Sequence, residues 1–130
     1  MIASQLRLGL EILRFPGQKI FSIGGRIAAG MKILDDLGPP DWRTRLRLDR
    51  LNIMSRSNCI LGQLYDDYRI GCSELGINHS REAAEYGFTT MFTAESSDDL
   101  QKREFEALTR GWRLAIRNPQ ILPERIKIAA

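Results

Sequence analysis

Between positions 58 and 75 the apolar side chains keep to one period. Leu61, Leu64, Tyr65, Tyr68, Cys72 and Leu75 recur at spacings that fall on one side of an α-helix, with Asp66, Asp67, Arg69, Ser73 and Glu74 mostly turned away. The pattern predicts one continuous helix over 58–75. Ser57 or Asn58 can cap its start, because a short side-chain oxygen accepts a free N–H of the first turn. Gly76 can close it, as the residue that best tolerates a left-handed conformation. Gly62 and Gly71 lie inside. Each weakens a helix by about 1 kcal/mol relative to alanine, so close approach of another element is the expected compensation.

Such a stripe is buried only against other elements, and most of the rest of the chain supplies helices. Ile23, Ile27, Gly30, Met31, Leu34 and Leu37 make a second stripe, which predicts a helix over 26–37 that starts near Ser22 to Gly25 and is stopped by Gly38-Pro39-Pro40. Residues 41–53 mix two spacings and read as a connection with one helical turn near Asp49. A short helix from Ser80 to Tyr86 ends at Gly87, and residues 88–95 read as a loop. Ser96 or Ser97 caps a last long helix with Asp98 and Asp99 in its first turn, where they oppose the helix dipole. Leu100, Phe105, Leu108, Trp112 and Ile116 give it a buried face, and Asn118-Pro119 ends it.

The N-terminus differs. Leu6, Leu8, Leu10 and Ile12 alternate with polar residues or glycine, the period of a strand, and Pro16-Gly17 is a turn signal. A lone hairpin is marginal in water. The expected architecture is therefore all-α: a compact bundle of three to five helices around Leu61, Leu64, Tyr68, Leu75, Leu108 and Trp112. Residues 26–118 form the helical domain. Residues 1–25 are an extension, either a short β-hairpin or extended segment or a mobile one, and 119–130 are a C-terminal tail. A chain of 130 residues, 43% of them hydrophobic, is the size of one ordinary domain that needs no staples.

No run approaches the ~20 apolar residues of a membrane-spanning helix, and Arg7, Glu11 and Arg14 interrupt any secretory signal. On one continuous helix, thirteen positions would separate Cys59 from Cys72 by about 20 Å between Cα atoms. A disulfide needs roughly 4.4–6.8 Å. Two unpaired thiols fit a reducing cytoplasm.

Candidate chemistry is sparse. Cys59, in a first helical turn, is the better nucleophile of the two thiols, with His79 as a conceivable base, but no third partner is assigned and Cys72 sits on the apolar stripe. One histidine, two cysteines and no Cys-x-x-Cys make a poor zinc set. Asp66 and Asp67 point to different sides of a helix and read as a solvated face. Gly24-Gly25 precedes a helix without any phosphate-loop pattern and reads as a cap or joint. No catalytic constellation, metal or cofactor is expected.

Charge offers one alternative. The net charge is +3, and residues 1–56 hold ten Lys/Arg against five Asp/Glu. Arg43, Arg45, Arg47, Arg50 and Arg56 cluster within 14 positions, a candidate contact for nucleic acid or for a protein partner. Asp41 and Asp49 partly neutralise them. Residues 83–89 also look like the first helix and turn of a helix-turn-helix. The segment that should be the recognition helix, though, has poor periodicity, carries Glu95, and holds no basic residue between Arg81 and Lys102. That is the wrong charge for a phosphate-lined groove.

Several segments also occur in a fixed order: Gly30 to Asp35 as Gly-x-x-x-Leu-Asp, then Trp42, then Leu48-Asp49-Arg50-Leu51-Asn52, then Cys59-Ile60-Leu61-Gly62-Gln63-Leu64-Tyr65 with Tyr68, Gly87-Phe88, and Leu108-Thr109-Arg110-Gly111-Trp112-Arg113. In this the chain resembles a family of small helical proteins of actinobacteria and their phages, of the mycobacteriophage type, over roughly residues 26–117. Asp66 departs from it, standing where that family usually has glycine. The resemblance implies a compact helical domain, often phage-encoded, and no particular activity. The expected function is that of a non-enzymatic interaction protein in the host cytoplasm, with a protein partner; the alternative is a nucleic-acid-binding regulator using Arg43 to Arg56.

Overall fold

The computed structural model describes residues 22–91 and 98–118. Among them the chain is all-α, without a strand, as the periodicity predicts. Its helices are α1 (Ile23–Leu37), α2 (Trp42–Arg45), α3 (Ile60–Tyr65), α4 (Tyr68–Leu75), α5 (Arg81–Glu85) and α6 (Asp98–Arg117), with a 3-10 turn at Leu48–Arg50. The expected hairpin, the tail over 119–130 and the serine cap at 96 or 97 lie outside the described residues.

The two long helices, α1 and α6, pack on one another, and α5 packs on α1. Ser22 starts α1 as its sequence suggests, its Oγ accepting the Gly25 N–H at 2.9 Å. Gly30 lets α6 come close: a Cβ there would lie 2.7 Å from the Trp112 ring. Trp112 in turn stacks on Phe88 at 5.7 Å and meets Trp42 edge-on at 6.4 Å, two geometries that aromatic quadrupoles favour. Both indole N–H groups are satisfied, Trp112 donating to the Gly87 carbonyl (2.7 Å) and Trp42 to the Asp35 carboxylate (2.9 Å). Leu61, Leu64, Leu75, Leu108 and Trp112 are buried as expected, whereas Tyr68 is only partly so. Trp42 and Phe88, from segments read as a connection and a loop, are wholly buried beside them.

The continuous helix expected over 58–75 is instead two helices. Asp66 takes a left-handed conformation (φ 74°) and ends α3, while Asp67 is extended and caps α4, its carboxylate accepting the Arg69 N–H at 2.9 Å. Adjacent aspartates offer the backbone local hydrogen bonds that compete with the helix, which is the physical reason for the break. The halves then pack against each other. Gly71 permits this, since a Cβ there would stand 2.7 Å from Leu61 Cβ. The separation argument for the cysteines therefore fails, though both thiols are free and buried. Neither Ser57 nor Asn58 caps α3; the Cys59 sulfur does, accepting the Gly62 N–H at 3.2 Å.

Asp66 carries a side chain in a conformation suited to glycine. Asp66→Gly is expected to raise stability by about 0.5–1 kcal/mol through relief of that strain. An increase in the urea midpoint at unchanged slope checks this; a decrease would mean the turn is held by the aspartate itself.

One ionic contact crosses the core. The Arg26 guanidinium is 2.7 Å from Glu104, and their side chains are 5% and 6% exposed. Arg26 also donates to the carbonyls of Ala84 (2.7 Å) and Thr89 (2.8 Å), and Glu104 accepts the Met91 N–H at 2.7 Å. Burial lowers the Arg26 pKa, and Glu104 pulls it back. Helices α1, α5 and α6 and the 88–91 segment are thus tied at one point.

Candidate partner-binding groove

The segment between α2 and α3 is irregular, yet it is heavily bonded. Gln63 on α3 reaches back to it, accepting the Arg47 N–H (2.6 Å) and donating to the carbonyls of Arg47 (3.2 Å) and Asn58 (3.0 Å). Arg113 on α6 donates to the carbonyls of Leu48 and Leu51, both at 3.1 Å. Thr109 accepts the Ile53 N–H at 3.1 Å. Within the turn, Asn52 accepts the Met54 N–H (3.0 Å), and Ser55 Oγ accepts the Asn58 N–H (3.0 Å). Leu51 and Ile53 are buried beneath it. The outcome is a fixed turn that holds Met54 outward, 59% exposed, beside Phe105 of α6.

Two hollows flank this pair, each bordered by both Met54 and Phe105. The first, about 260 Å³, is completed by Ile53, Ser55, Arg56, Cys59, Tyr68, Arg69, His79 and Thr89. The second, about 310 Å³, is completed by Asn52, Lys102, Glu106, Thr109, Arg110 and Arg113. The α6 contributors to the second recur three or four positions apart, one face of that helix. The two residues that the hollows share, Met54 and Phe105, are apolar, and the charged residues bordering them are mainly cationic.

Cys59 and His79, distant in sequence, border the same hollow, but the thiol bonds to backbone. It donates to the Arg56 carbonyl at 3.8 Å while accepting from Gly62. Burial pushes its pKa up to about 11, and the amides of the α3 first turn offset this only in part. The sequence expectation that the helix N-terminus favours a thiolate is thus overturned, because desolvation outweighs the dipole at a site this buried. Cys72 is raised as well, again by burial first. The His79 carbonyl accepts the Tyr68 hydroxyl at 2.6 Å.

The arginine cluster does not form one open cationic surface. Arg43 pairs with Asp35 at 2.7 Å and lies over the Trp42 ring at 4.3 Å; hydrogen bonding from Arg43 is the leading cause holding the Asp35 carboxyl below its usual range. Arg45 faces Asp41 (3.8 Å), Arg47 faces Asp49 (3.7 Å) and Arg56 faces Asp67 (3.3 Å). Arg50 is exposed on the 3-10 turn. Asp67, read from sequence as part of a solvated face, is both a helix cap and the Arg56 partner, and the Arg69 and Ile70 amides with Arg56 hold its carboxyl below the usual range against desolvation. Gly24 and Gly25 lie in the capped first turn of α1. Among the described residues, no group of three or more His, Cys, Asp and Glu stands where it could hold a metal ion, and no helix is long and apolar enough to cross a membrane.

Sequence reasoning missed the groove. Met54 lay just past the 41–53 stretch read as a connection, where the sequence was given no reading, and Phe105 was assigned wholly to the core. The Asn52-x-x-Ser55 turn chemistry was the available signal. Compared with protein-family profiles, curated proteins and solved structures, the chain matches none.

Proposed function

We propose that this chain is a non-enzymatic interaction protein that binds another protein through the groove on either side of Met54. It acts in the cytoplasm, and the sequence resemblance supports a phage-encoded role in an actinobacterial host. The supporting observation is Met54 itself: a large apolar side chain held outward by a bonded turn, between two hollows that it lines together with Phe105. Methionine adapts its shape to varied apolar surfaces, and rigidly presented loops are common binding elements.

Affinity capture from an actinobacterial lysate, with tagged full-length protein and its Met54→Glu variant side by side, tests this reading. The substitution lies on the surface and is expected to leave the thermal melt unchanged. A protein retained by the native chain should fall at least roughly tenfold with the variant, the size of one lost hot-spot contact. Equal capture by both, with the variant folded, would put the binding surface elsewhere.

A further inference from the structure

We infer that the segment this groove accepts is acidic and carries a bulky apolar anchor, an inference that rests on the groove being a protein-binding surface. The charge of the walls is the first reason. Arg56, Arg69, Lys102, Arg110 and Arg113 border the two hollows, against Glu106 as the bordering carboxylate. Arg56 is engaged with Asp67 and Arg113 with two carbonyls. Arg69, Lys102 and Arg110 make no ion pair among the described residues, and they lie on opposite sides of Met54, the first on α4 and the other two on α6. Lys102 and Arg110 are about 12 Å apart along their helix, reach enough for carboxylates several residues apart on one peptide. This cationic lining lies largely on the half of the chain that is acid-rich overall, so it is a local concentration.

The apolar lining is the second reason. Met54 and Phe105 separate the hollows, and Ile53 closes the first. A polyanion without apolar groups, such as a nucleic acid backbone, would meet the cationic residues and leave Met54 and Phe105 wet. A peptide with an aromatic or leucine side chain over Met54 and carboxylates to either side satisfies both. The hollows also lie near or below the lower end of the roughly 300–1,000 Å³ of small-ligand pockets, which suits single side chains better than a cofactor. The cationic rim then guides the encounter and excludes basic partners, while the apolar contact holds the complex.

Panning a displayed library of random dodecapeptides on the full-length chain identifies the preferred chemistry, followed by fluorescence anisotropy with the most enriched peptide. The expected pool is rich in Asp and Glu and holds at least one Leu, Phe or Trp. Its binding should weaken at least roughly tenfold on Met54→Glu, on Lys102→Glu with Arg110→Glu, and on Asp/Glu to Asn/Gln exchange in the peptide, as well as with added salt. An enriched pool that is neutral or basic, yet still lost on Met54→Glu, would overturn the acidic partner and leave the protein-binding groove standing. No enrichment, or enrichment indifferent to Met54→Glu, would overturn both. A single-stranded DNA dodecamer that binds as tightly as the peptide would make the site a general polyanion surface and overturn the inference. So would sedimentation showing that a second copy of the chain fills the groove.

Discussion

Glu104→Ala is expected to destabilise the protein by about 3–5 kcal/mol, because it leaves the Arg26 guanidinium buried without its counter-charge. Arginine cannot shed its proton near neutral pH to escape the penalty. Arg26 would keep its two carbonyl acceptors, Ala84 and Thr89, but these do not neutralise a charge on a side chain 5% exposed. The Met91 N–H would lose its acceptor too. A loss of this size is a large part of an ordinary domain's total stability of about 5–15 kcal/mol. Urea unfolding followed by the fluorescence of Trp42 and Trp112, both buried, gives the measurement. The double variant Arg26→Met with Glu104→Leu should lose less than the two single losses added together, since no lone charge remains. A Glu104→Ala cost under about 1 kcal/mol, typical of exposed pairs, would mean that the contact is solvated.

Gly62→Ala is expected to be destabilising by about 1–3 kcal/mol, the usual range for forced overpacking. The sign is informative, because in an open helix the same change is favourable by about 1 kcal/mol. Here the added Cβ would meet the Arg56 carbonyl oxygen, with Ser57 C at 2.7 Å and Ser57 Cα at 2.8 Å. All three are backbone atoms, in a turn fixed by Ser55 and Gln63, so no flexible side chain can move aside. The clash therefore outweighs the helix propensity. The turn it displaces is the one that presents Met54, so partner capture should weaken along with the melt. A stabilised Gly62→Ala variant would show that the turn does not pack on α3 as described.

The all-helical class was legible because burial imposes a period on the sequence, and α1, α4 and α6 follow it. Gly62 and Gly71 announced close approaches, and both are there. The break at Asp66 was not legible, because the apolar stripe runs on across it: Tyr65 and Tyr68 keep the helical spacing although the chain turns between them. Trp42 and Phe88 were hidden by short or irregular surroundings that carry no period. The Arg26–Glu104 pair is invisible in principle, since charged residues on a helix usually mark its wet face. The candidate groove was illegible for a related reason. It is assembled from a turn, α3, α4 and α6, joined by Gln63, Thr109 and Arg113, whose hydrogen bonds leave no trace in periodicity. Of the arginine cluster's carboxylate partners, Asp41 and Asp49 were legible within it, whereas Asp35 and Asp67 lie outside it in sequence.

Site-specific photo-crosslinking addresses the binding surface most directly. A photoreactive amino acid is placed at Met54 in one full-length chain and at Arg47 in another, and each is irradiated in an actinobacterial lysate. The groove predicts discrete protein adducts from position 54 that disappear when excess native chain competes, and few or none from position 47. Adducts from position 47 that vanish with nuclease treatment, together with none from position 54, would contradict it.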